Sequence, residues 1–136
     1  MEKIYSKINN KLLHFINRKE EIISERNNLV NDEEFLQCST MRLQKGKTFK
    51  PHKHFYRKVN NQNYIPQESW LIIQGSVKCI FYDIDDTIIS EKTLFSGDAS
   101  FTLEGGHNYE ILEPDTIIYE YKTGPYLGIE LDKKMI

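Results

Sequence analysis

Residues 41–54, MRLQKGKTFKPHKH, and residues 68–77, ESWLIIQGSV, read as two strand-forming runs on either side of a polar interval, and they set the reading of the whole chain. Neither run has a helical period, and each contains a glycine, Gly46 or Gly75, suited to a turn that needs positive φ. Side chains at i and i+2 of a strand share a face, so His52 and His54 present two imidazoles on one side while Lys53 points to the other. Glu68, at the head of the next run, can bring a carboxylate beside them. His107, after Gly105-Gly106, can add a third nitrogen from a later strand. Such a set can enclose one divalent metal ion and leave coordination positions for water or substrate.

Outward from these runs, the chain from Phe35 onward alternates short β-rich segments with turn signals. Seven or eight strands are expected from segments near 36–43, 48–54, 69–73, 77–82, 87–95, 99–103, 108–112, 116–121 and 126–130, some of which merge or drop out. The turns have mechanisms: Lys45-Gly46 and Gln74-Gly75-Ser76 take positive φ, Asp83 to Asp86 form side-chain-capped turns, and Pro114 fixes φ in Glu113-Pro114-Asp115. The Asp83–Asp86 run lacks the glycine and terminal glutamate of a calcium loop and reads as a turn. Short strands at such spacing imply an antiparallel sandwich or barrel, not a parallel βαβ sheet. Residues 55–67, FYRKVNNQNYIPQ, have no apolar period and read as a surface loop placed to cover the histidine pair.

The first 29 residues differ. Ile4, Ile8, Leu12, Phe15, Ile16, Ile22 and Ile23 recur mostly at spacings of three and four, which predicts an amphipathic helix broken once. The expected organisation is therefore an N-terminal helical segment over 1–34, packed on its own barrel or on a partner subunit, followed by a β-barrel over 35–136. His14 falls within the helical pattern and is given no role.

The chain has 136 residues, which suits one core. Eighteen basic against twenty acidic residues give a net charge of −2, too little for a field that grips nucleic acid or anionic lipid. No long apolar run or export signal is encoded, so a cytoplasmic protein without membrane contact is expected. Two cysteines, Cys38 and Cys79, fit a reducing compartment. Cys79, within VKCIFY, reads as a small buried hydrophobe, although sequence alone leaves a disulfide open.

The ordered set Gly46, five residues, His52-x-His54, a spacer, Glu68, six residues and Gly75, with His107 downstream, resembles the first and second motifs of the cupin superfamily. The resemblance implies a double-stranded β-helix, or jelly-roll barrel, holding a metal on His52, His54, Glu68 and His107. It also makes a homodimer through an outer sheet an expectation. Two departures stand out. The spacer between His54 and Glu68 has thirteen residues where the family pattern has a short one, and Thr102 and Glu104 stand where proline and glycine are common in the second motif. More narrowly, MRLQKGKTFKPHKH and LEPDTIIYEYKTGPY, with an N-terminal segment of this size, resemble the small cupin-fold metalloproteins of the WbuC family, found among bacterial surface-polysaccharide biosynthesis genes. That likeness places Glu120 at a recurrent position of the family's tail.

Three functional readings stay open. The first is an enzyme of isomerase or epimerase type, acting on a sugar or sugar-nucleotide intermediate, with the ion as Lewis acid. Glu104 and Glu120 are then the candidate catalytic groups. Tyr56, Tyr64, Tyr109 and Tyr126 are candidates for contacting a sugar-like ligand, although tyrosine is also a usual filler of barrel walls. The second reading is a non-catalytic carbohydrate-binding or sensing module, and the third a metal-dependent dioxygenase. Three imidazoles and a carboxylate are compatible with zinc, iron, manganese, nickel or copper.

Overall fold

The computed structural model of the chain describes residues 1–59 and 62–136. Its strands are β1 (Glu2–Tyr5), β2 (Leu12–Ile16), β3 (Asn27–Asn28), β4 (Leu36–Leu43), β5 (His52–His54), β6 (Arg57–Val59), β7 (Gln62–Tyr64), β8 (Glu68–Gln74), β9 (Ser76–Tyr82), β10 (Ile88–Phe95), β11 (Ala99–Thr102), β12 (Gly106–Ile111), β13 (Thr116–Thr123) and, after a helical turn α1 (Ile129–Asp132), β14 (Lys133–Met135). Ten of them form two five-stranded sheets, ordered β10-β9-β12-β5-β14 and β11-β8-β13-β4-β3. All the pairings are antiparallel.

Between the sheets lies one core. Alternation sends Met41 and Leu43 of β4, Trp70 and Ile72 of β8 and Ile118 of β13 inward from one sheet, and Val77 and Cys79 of β9 with Tyr109 and Ile111 of β12 inward from the other. Trp70 and Tyr109 stack across the interior with ring centroids 3.8 Å apart. Because Glu68 is two residues from Trp70, and His107 two from Tyr109, the same alternation carries these polar groups into the barrel at one end of the apolar core. The turns behave as their residues dictate. Gly75 sits at φ +82° against Thr116, and Asp83 and Asp85 accept from the backbone of Ile84 and Thr87.

The N-terminal helix is overturned. Residues 1–29 hold the hairpin β1–β2, a single 3-10 turn at Lys19–Glu21, and β3 on the edge of β4. Ser6 Oγ accepts from the amides of Ile8 and Asn9, and Asn10 takes φ +58°, so side-chain-to-backbone bonds close a turn where a helix would need those amides. Ile8, one step of the helical spacing, is at the turn tip and 96% exposed. Ile22 and Leu29 are the buried anchors of this region.

Two smaller expectations are also corrected. Residues 55–67 are not simply a loop, since β6 and β7 pair as a short hairpin; Asn60 and Asn61 at its centre fall outside the described residues. Residues 126–130 do not form a strand. Gly128 at φ +93° and the turn α1 interrupt the chain there, and the last strand is β14, paired with β5. Cys38 and Cys79 are both buried and unbridged. Among the described residues no helix is long and apolar enough to cross a membrane.

Candidate metal centre

His52, His54, Glu68 and His107 come together at that polar end of the barrel, all four buried, each with a ligand atom within 4.8 Å of the others. Their register explains why. His52 and His107 are direct partners across β5 and β12, so their side chains share the inner face. His54 follows His52 by one strand period. Glu68 approaches from the opposite sheet, where its direct partner across β8 and β11 is Thr102.

The outer nitrogens of all three imidazoles are tied down. Nδ1 of His52 lies 3.0 Å from the carbonyl of Lys50, that of His54 3.1 Å from the carbonyl of Asp132, and that of His107 2.7 Å from Thr102 Oγ1. Carbonyls only accept, so Nδ1 of His52 and of His54 carries the proton and Nε2 is left as a lone pair. The Nε2 atoms face inward: His52 to His107 is 3.0 Å, His107 to Glu68 Oε1 3.3 Å, and His54 to Glu68 Oε2 3.3 Å. Bonds of about 2.0–2.2 Å from nitrogen and oxygen to one ion separate adjacent ligand atoms by roughly 3.0–3.5 Å.

A second observation fits a cation. His54 Nε2 is buried with no hydrogen-bond partner, its lone pair turned toward a carboxylate oxygen. That juxtaposition costs free energy unless a positive charge lies between the two. These four residues therefore could hold a metal ion.

Burial, and then the neighbouring His107, depress His52 to about 4. Glu68 is pushed up by burial, but His107 and His54 more than offset this and hold it well below the usual carboxylate range. Both side chains thus have the deprotonated forms a metal would need at neutral pH.

Beside the centre is a cavity of about 270 Å³ that opens on His52 and Glu68; its wall includes Arg26, Phe49, Glu120, Lys122, Tyr126 and Lys133. Glu120 is buried there and fully engaged: Arg26 donates to both its oxygens, and Trp70 Nε1 donates to Oε2 at 3.2 Å and to Glu68 Oε1 at 3.1 Å. Burial alone would lower the Arg26 pKa, yet Glu120 raises it.

The remaining sequence candidates divide. Tyr109 and Tyr126 line this cavity, with Lys122 Nζ 4.2 Å above the Tyr126 ring. Tyr109 is buried, its hydroxyl 3.1 Å from Ser100, and burial followed by the charge of Glu68 drives its pKa well upward. Tyr56 donates to Glu104 at 3.2 Å, and both border a separate depression; Tyr64 bonds to the carbonyl of Gly124. Sequence reasoning missed Arg26, Arg57 and Asp132. Arg26 falls in the stretch read as an amphipathic helix and Arg57 in one read as a surface loop, and nothing in the spacing of Asp132 announces burial. Thr102 was visible as a departure from the second cupin motif, and it is the residue that holds His107.

No protein-family model matches the sequence, and no curated protein is similar enough to count as a match. Solved structures do match in fold. The chain is similar to KdgF from Halomonas sp., with TM-score 0.56 and 17% identity over 72% of this chain and 76% of that one. It is similar to a protein with a double-stranded β-helix domain from Klebsiella pneumoniae, with TM-score 0.56 and 14% identity over 76% of this chain and 78% of that one. It also matches the capsular polysaccharide assembling protein CapF from Staphylococcus aureus, with TM-score 0.60 and 16% identity over 88% of this chain but 34% of CapF. The two β-sheets thus form a cupin fold, as the sequence motif implied.

Proposed function

We propose that this cupin-fold chain binds one divalent metal ion on His52, His54, Glu68 and His107 and acts on a sugar or sugar-nucleotide in the adjoining cavity. The observation that carries the reading is the convergence of three inward Nε2 atoms, each with its Nδ1 anchored, on a buried carboxylate. When bound, the ion supplies Lewis acidity to a carbonyl or hydroxyl oxygen. The chain's own residues do the rest. Trp70 Nε1 orients Glu68, the aromatic wall of Phe49 and Tyr126 offers apolar faces to a sugar ring, and Lys122 and Lys133 add positive charge to the wall. The polysaccharide context rests on the WbuC-like sequence runs and on the likeness to CapF.

One observation favours a second reading, a binding module without turnover. Glu120 is a buried cavity carboxylate outside the four-residue cluster, yet Arg26 and Trp70 occupy its oxygens, so it is not free as a base in this arrangement. A screen of the metal-loaded protein against sugar nucleotides separates the two. A thermal shift with new product supports the enzyme, and a shift without product over long incubation supports the binder. No shift with any sugar nucleotide would contradict both.

A further inference from the structure

We infer that Asp132 is a positioning residue for His54, clamped by Arg57, so that the C-terminal segment sets the affinity of the metal centre. This rests on the metal reading above. Asp132 is 1% exposed and ends the turn α1, far in sequence from the histidine pair. Its main-chain oxygen accepts from His54 Nδ1 at 3.1 Å, and its Oδ2 lies 3.6 Å from the same nitrogen. Arg57 Nη2 donates to Oδ1, and Lys122 Nζ donates to Oδ2 at 3.3 Å.

Arg57 is itself buried, and its other terminal nitrogen donates to the carbonyl of Pro125 at 2.7 Å. One guanidinium thus pins the C-terminal segment at two points, on either side of the stretch that lines the cavity. The pairing of β14 with β5 adds a third hold, with Lys133 opposite His54 and Met135 opposite His52. A buried carboxylate next to Nδ1–H strengthens the donor ability of Nε2 and fixes the plane of the ring. His52 and His107 have no such carboxylate: their Nδ1 partners are a carbonyl and a hydroxyl.

The tests are zinc affinity by chelator competition, the visible spectrum of the cobalt(II) form, and the tautomer of His54 by nitrogen NMR in metal-free protein. Asp132→Asn is expected to weaken zinc about tenfold or more and shift the cobalt spectrum, while the main-chain carbonyl of residue 132 keeps His54 as the Nδ1–H tautomer, as in the parent. Because Asp132→Asn strands the Arg57 charge, the pair Arg57→Gln with Asp132→Asn is made as well. Its metal-free stability should recover relative to the single variant while zinc binding stays weak. Arg57→Gln alone, which removes the clamp but leaves Asp132 its bond from Lys122, should weaken zinc as well, though less than Asp132→Asn does. Zinc affinity within twofold of the parent in Asp132→Asn, an unshifted spectrum, or an Nε2–H tautomer in the parent would each overturn the inference. A parent that binds neither zinc nor cobalt yet shows the Nδ1–H tautomer would instead defeat the metal reading and leave the positioning of His54 standing.

Discussion

Replacing Thr102 by valine removes one hydroxyl with almost no change of shape, and the structure fixes what should follow. Thr102 Oγ1 is 2.7 Å from Nδ1 of His107, and His107 is wholly buried. Loss of the partner leaves a buried ring nitrogen unsatisfied, which costs about 1–3 kcal/mol. For a domain of this size each kcal/mol lowers the melting temperature by roughly 3–5 °C. The ring also loses what orients its Nε2 toward Glu68, so zinc affinity should fall about 10- to 100-fold. Calorimetry of the metal-free protein reads the first quantity and chelator competition the second. Thr102→Ser should restore most of both. A Thr102→Val variant with parental zinc affinity would show that His107 either does not ligate or does not need its hydroxyl partner.

Two further outcomes follow from the titration of the buried site and from the turns. His52 is depressed to about 4, from near 6.5 in the unfolded chain, so between these values the unfolded state binds more protons and stability is lost as the pH drops. His52 alone should make the metal-free protein about 2 kcal/mol less stable at pH 5 than at pH 7. Glu68, also depressed, adds stability that is lost as pH falls below the usual carboxylate range. A urea midpoint unchanged between pH 7 and pH 4.5 would contradict this. Among the turns, Gly46 and Gly75 share φ near +83° and +82°, but a Cβ at Gly46 meets nothing within 4 Å while one at Gly75 falls 2.3 Å from Thr116 Oγ1. Gly46→Ala should cost about 1–2 kcal/mol, and Gly75→Ala about 1–3 kcal/mol more; equal melting temperatures for the two would refute the difference.

The β-domain and the convergence of His52, His54, Glu68 and His107 were legible because both rest on period-two alternation and on spacing. His52-x-His54 needs only a strand to share a face, and Glu68 with Trp70 and Ile72 needs only the next one. The N-terminal region misled for a related reason. Ile4, Ile8 and Leu12 keep helical spacing, but Ile8 owes its place to a turn made by Ser6 and Asn10, and local side-chain bonds outweighed the pattern. Arg57 and Asp132 could not be read at all. Their burial depends on each other across 75 residues, and a lone charged residue carries no sign of so distant a partner. Thr102 lay between these cases: it showed as a departure from a motif, and its purpose needed the 2.7 Å contact to His107.

The central claim is that these four side chains bind a metal. Elemental analysis of protein purified without added metal, beside the variant carrying both His52→Ala and His54→Ala, tests it most directly. One equivalent of a divalent transition metal in the parent and none in the variant is the predicted result. Equal metal in both, or a parent that takes up no ion even when offered zinc, iron, manganese, nickel and copper in turn, would contradict it.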